Sequence, residues 1–175
     1  AHRQLARSLG CAPTTVMRQA ARLGRHALLL LSHALDRLET LDETVVYDDF
    51  ETFAYSQERP MGIGTAVGRE SWFVYGLQCA PHRRAGRRSP AQRAKAARQP
   101  QPVVSGAYRG AFRRAVDLLL SKLPAGDVLD LVTDGHPGYR AGLASHPWRS
   151  RIRHRVYPNP HRPSKGAPRS RSAIR

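Results

Sequence analysis

At 175 residues with 41% hydrophobic side chains, the chain can bury the core of one α/β domain plus a small appended module, which excludes global disorder. Its 29 Lys and Arg against 13 Asp and Glu give a formal net charge of +16 and a pI near 11.3, a surface drawn to polyphosphate; nucleic acid is the first partner to consider and an anionic membrane surface the weaker one. No apolar run approaches the length of a membrane span, no signal peptide is evident, and the lone Cys11 and Cys79 make neither a zinc motif nor a disulfide framework, so a cytoplasmic protein is expected.

Residues 2–24 predict two short helices around a tight turn. Leu5, Ala6 and Leu9 form the apolar face of the first, Gly10 permits a corner with φ > 0, and Pro13 with Thr14 opens the second, whose buried stripe runs through Val16, Ala20 and Leu23. The spacing of Ala6, Gly10 and Val16 suits a helix-turn-helix, and a plain helical hairpin fits it as well. In the first case Thr14, Thr15, Arg18 and Gln19 meet a major groove, while Arg22 and Arg25 reach phosphates. Residues 26–41 continue as a helix with Ala27, Leu28, Leu31, Ala34, Leu35 and Leu38 on one face, either the third helix of the module or a dimer-forming helix. His26 and His33 read as surface or packing residues.

Three strands follow. The first, Val45–Phe53, is β-branched at its start and then delivers Asp48, Asp49 and Glu51 at its mouth, with alternation sending Asp49 and Glu51 one way and Asp48 the other. Residues 61–68 and 71–78 complete an antiparallel meander, with Trp72, Phe73, Val74 and Tyr75 as core candidates. Residues 80–102 crowd Arg83, Arg84, Arg87 and Arg88 among prolines, which predicts a mobile insertion or loosely helical arm able to grip a phosphate backbone, or merely solvated. Residues 105–123 resume helical periodicity, an interior strand ends in Asp134 followed by Gly135, His136 and Pro137, and a short helix over 137–145 and an edge strand over 151–157 close the pattern. From residue 158 onward a disordered basic tail is expected.

Two strands that each end in aspartate suggest a shared site for a hard cation, since Mg²⁺ takes carboxylate oxygens and metal-assisted phosphodiester chemistry needs such ligands to converge. A solvated strand end at Asp48 and Asp49 and an ordinary turn at Asp134 are the plain alternatives.

The order of meander, helix, aspartate strand, helix and strand is that of the ribonuclease-H-like fold. With a helix-turn-helix in front, the chain resembles the DDE transposases of bacterial insertion sequences, through VVYDDFETF, GIGTAVGRESWFVYG and VTDGHPGYR. The fold class expected is therefore α/β: a helix-turn-helix module over 1–41, a partial ribonuclease-H-like mixed sheet with flanking helices over 44–157, and a tail over 158–175. The resemblance implies DNA binding with metal-dependent cleavage, strand transfer and transposition, with Asp48 as first metal ligand, Asp49 its competitor, and Asp134 the second. His136 either positions a phosphate or packs on Tyr139. It also implies Mg²⁺ or Mn²⁺ as cofactor, DNA as partner, a bacterial nucleoid-associated location and a possible homodimer, with no membrane or small-molecule substrate. The family's third carboxylate is expected on a later helix, yet residues 135–175 contain no Asp or Glu, so a truncated, inactive copy is the expectation. The alternative is a helix-turn-helix regulator with a non-catalytic α/β domain.

Overall fold

The computed structural model describes residues 2–54, 58–82, 88–98 and 105–157. Helices α1 (His2–Ser8) and α2 (Pro13–Arg37) are followed by strands β1 (Val45–Phe53), β2 (Pro60–Gly68) and β3 (Val74–Pro81), helices α3 (Pro90–Arg98) and α4 (Ala107–Ser121), strand β4 (Leu129–Thr133), helix α5 (Pro137–Ala144), a 3-10 turn, and strand β5 (Ile152–Val156). The strands form one mixed sheet in the order β3-β2-β1-β4-β5, antiparallel from β1 to β3 and parallel from β1 through β4 to β5. The expected meander, interior aspartate strand and edge strand are all present, and the chain is α/β.

The sheet buries one face against α4, whose Phe112, Ala115, Val116, Leu119 and Leu120 repeat at helical spacing and meet Val45, Tyr47, Leu129 and Leu131. At the centre the rings of Tyr47, Phe112 and Tyr139 lie 4.8 to 5.3 Å apart, two of the three pairs edge-to-face, each worth about 1 kcal/mol beyond its buried area. β2 turns Gly62, Gly64, Ala66 and Gly68 towards this face. A Cβ on Gly64 would run into the Tyr47 hydroxyl, and one on Gly62 would sit 2.7 Å from that of Tyr108, so the missing side chains are the space that the two phenols occupy.

Several sequence expectations change. The acids of β1 sit inside the strand rather than at its end, because β1 runs on to Phe53 along β2 after β4 has stopped at Thr133. Trp72 is 79% exposed, held at φ +60° in the turn before β3, and only Tyr75 of that run is fully buried. The Gly10 corner exists at φ +61°, but α2 does not end near Gly24: it is one helix of 25 residues. A lone interior glycine costs a helix only about 1 kcal/mol, and no proline or second glycine follows it. Of the stripe expected to be buried, Ala6 and Val16 are, whereas Leu5, Leu9, Ala20 and Leu23 are exposed. Among the described residues these two helices touch mainly each other, and α2 meets the sheet chiefly along β3. The insertion contributes α3, with residues 83–87 and 99–104 outside the described residues, as is the expected tail. Among the described residues no helix is long and apolar enough to cross a membrane.

Candidate active site

β1 and β4 pair in parallel at Val45 with Leu131, Val46 with Val132 and Tyr47 with Thr133. One residue further on, β4 gives way to a turn while β1 continues beside β2 alone, so Asp48 and Asp134 leave the paired segment together with a bare strand flank between them. The turn is locked in place. Gly135 takes φ +86°, where a Cβ would strike Val156, and its N–H donates to the Thr133 hydroxyl at 3.3 Å. Asp134 accepts from the His136 N–H at 2.9 Å, and His136 caps α5 by accepting from the Gly138 N–H.

A cavity of about 840 Å³ opens at this strand end, lined by Asp48, Asp49, Glu51 and Asp134 with Phe50, Thr65, His82, Tyr108, His136 and Tyr139. All three candidate aspartates face one space, although they come from opposite halves of the chain. Their environments differ. Asp48 is exposed and accepts from the Asp49 N–H at 2.8 Å. Asp49 is half-buried on the helix-covered face, where Tyr139 donates to its Oδ2 at 2.5 Å while its Oδ1 is buried without a hydrogen-bond partner among the described residues. Burial pushes the Asp49 carboxyl above the ordinary aspartate value, Asp48 and Asp134 push it further, and the Tyr139 hydrogen bond and His136 oppose them. Burial and then Asp49 raise the surrounding phenols, Tyr108 to about 12 and Tyr47 and Tyr139 beyond it, so all three stay protonated.

Hard oxygen donors around an open, water-accessible space suit Mg²⁺, which usually takes one or two carboxylates and completes its shell with water or substrate phosphate. The buried Asp49 Oδ1, without a hydrogen-bond partner among the described residues, and the mutual repulsion of the acids are features that a cation would relieve. Among the described residues no three His, Cys, Asp or Glu side chains close into a full ligand set, so solvent or substrate would have to complete the shell.

No family model, curated protein or solved structure matches this chain.

The site is therefore read from its own chemistry. Of the groups expected to meet DNA, Thr14, Thr15, Arg18, Gln19, Arg22 and Arg25 are all exposed on α2, and the last four line a shallow hollow of about 310 Å³. Arg83, Arg84 and Arg87 lie outside the described residues, and Arg88 is spent on Glu58 at 3.7 Å. His136 packs on Tyr139 with ring centroids 5.3 Å apart. Sequence reasoning missed Tyr108 and Tyr139, which α4 and α5 bring to the acids, and His154, whose Nε2 lies 2.9 Å from the Thr133 hydroxyl beneath the Asp134 turn. Burial, then Arg149 and Arg140, lowers the His154 pKa and favours its neutral form. The one available signal for Tyr139 was its place five residues after Asp134, in the first turn of α5.

Proposed function

We propose that this chain is a DDE-type insertion-sequence transposase, or a derivative of one, that binds DNA and offers two aspartates to a divalent cation for phosphodiester chemistry. The supporting observation is the parallel β1–β4 pair, which draws Asp48 and Asp134 to one cavity within the strand order that the ribonuclease-H-like resemblance calls for. Asp48 and Asp134 are the proposed ligands; Asp49, engaged by Tyr139, shapes the field behind them. When bound, Mg²⁺ or Mn²⁺ would make an attacking water or DNA 3′ hydroxyl more nucleophilic and neutralise charge on the leaving oxygen. The protein's share is to hold the phosphodiester over the strand end, with Arg18, Arg22 and Arg25 contributing contacts that do not depend on sequence. In hydrolysis the water oxygen bonds to phosphorus, the P–O3′ bond breaks, and the proton released by the water is balanced by the one taken up on the 3′ oxygen. Metal and DNA binding are the activities proposed for residues 1–175; residues 135–175 contain no Asp or Glu.

The test is divalent-cation affinity, read by Mn²⁺ paramagnetic resonance, in Asp48→Ala and Asp134→Ala. Loss of at least about tenfold in each supports the assignment, taking the effect of lost support around a metal as the lower bound; unchanged affinity removes it. The regulator reading draws on the exposed Thr14, Thr15, Arg18 and Gln19 of α2, which need no metal to meet DNA. It predicts metal-independent footprinting of one defined sequence, abolished by Arg18→Ala and Gln19→Ala.

A further inference from the structure

The second half of α2 carries more apolar surface than its own domain covers. Residues 26–35 contain no Asp, Glu, Lys or Arg, in a chain where net charge +16 makes most of the surface repel its own copies. Leu23 and Leu30 are each 69% exposed on one side of the helix. Beside them an apolar groove of about 660 Å³ runs between α2 and β3, walled by Leu30, Leu31, Ala34, Phe73 and Leu77.

The spacing on this helix gives two seams. Leu28, Leu31, Leu35 and Leu38 follow the three-four rhythm of a packed helix, and Leu35 and Leu38 do pack on the core. A second row, Leu23, Ala27, Leu30 and Ala34, follows the same rhythm on a neighbouring face, where Leu23, Ala27 and Leu30 are exposed and Ala34 is partly covered. Its order is large, small, large, small, and it is symmetric about the midpoint between residues 28 and 29. Laid antiparallel on itself, it sets each leucine against an alanine: Leu23 against Ala34 of a second copy, and Leu30 against Ala27. Alternation of large and small across an interface lets two helices interdigitate closely, and a patch that supplies both knobs and holes is what a two-fold interface requires.

We infer that the Leu23–Ala27–Leu30–Ala34 row and the adjoining groove are the seat of a second copy of this chain, with the two α2 helices antiparallel around a two-fold axis. The uncharged stretch is where two strongly basic chains can approach. At 3.6 residues per turn Arg18, Arg22 and Arg25 fall on a different side of α2, so the pair leaves both basic stripes free.

Sedimentation of the full chain without DNA tests this and leaves the transposase reading untouched whatever the outcome. The expected species has twice the 19.5 kDa chain mass, and Leu30→Lys returns it to the single-chain mass with unchanged circular dichroism. In a Cys11→Ser, Cys79→Ser background, Leu23→Cys with Ala34→Cys is expected to cross-link between copies. Leu23→Cys alone is not, because the two thiols stand about 16 Å apart along the antiparallel pair. A single-chain mass at about 100 μM, well above the micromolar limit of standard interfaces, overturns the inference. So does a Leu30→Lys protein that still pairs, or cross-linking through Leu23→Cys alone.

Discussion

The two ends of the parallel β1–β4 pair both gather acid, and they treat it in opposite ways. Below the start of the strands, Glu43 accepts from the backbone N–H groups of Glu70 and Ser71 at 2.9 and 3.0 Å, from the Tyr75 hydroxyl at 2.6 Å and from the Ser71 hydroxyl; Asp130 is paired with Arg155 at 2.7 Å and Thr44 at 3.3 Å. Burial pushes the Glu43 carboxyl up, but its four donors overcome this and hold it at about 2. At the other end Asp49 is raised, and among the described residues neither it nor Asp48 has a salt-bridge partner. Of the two acids at the strand start, Glu43 is fully satisfied by the fold, while Asp130 is ion-paired through Oδ2 and keeps its Oδ1 buried without a hydrogen-bond partner among the described residues. Those at the open end repel one another, a repulsion that a bound cation or proton would relieve.

The contrast can be broken most severely through the glycine beneath the open end. Gly64→Val would drive a side chain into the Tyr47 hydroxyl and against Asp49, and a loss of about 3 kcal/mol in urea unfolding is expected from overpacking that neither strand nor ring can relieve. Glu43→Gln comes next, at about 2 kcal/mol for charge-assisted hydrogen bonds weakened together. Because its folded pKa lies below the ordinary 4.5, the Glu43 contribution is present above pH 4.5 and lost as pH falls towards 2. The wild type should lose stability over that window and the variant should show a shallower slope. Asp49→Asn is the smallest effect, under about 1 kcal/mol once solvent screening at this half-exposed group is allowed for. Its sign is reversed: a raised carboxyl contributes stability below its ordinary 3.8 and loses it as pH rises through the folded value. The variant should therefore gain on the wild type towards neutral pH, and a loss there would show that the acids are not in conflict.

Much of the architecture was legible because its signals are local. The glycine-rich alternation of β2, the apolar run of β4 before Asp134 and the periodicity of α4 each declare themselves within a few residues, and the aspartates stood out against a basic background. Placing Asp48 ahead of Asp49 rested on the resemblance alone, since the contact that distinguishes them is made by Tyr139, ninety residues away. The burial of Leu5, Leu9, Leu23 and Trp72 was misjudged for a related reason. Apolar character says that a side chain would be stabilised by cover, and only the tertiary arrangement says whether cover comes.

The pairing of β1 with β4 also bears on how the molecule assembles. β1, β2 and β3 are joined by short connections and can zip up with little loss of chain entropy, whereas β4 reaches β1 only after a long segment has been gathered in. On this topology the β1–β4 pairing is expected to form after the meander, and it is that pairing which brings Asp48 and Asp134 to one cavity.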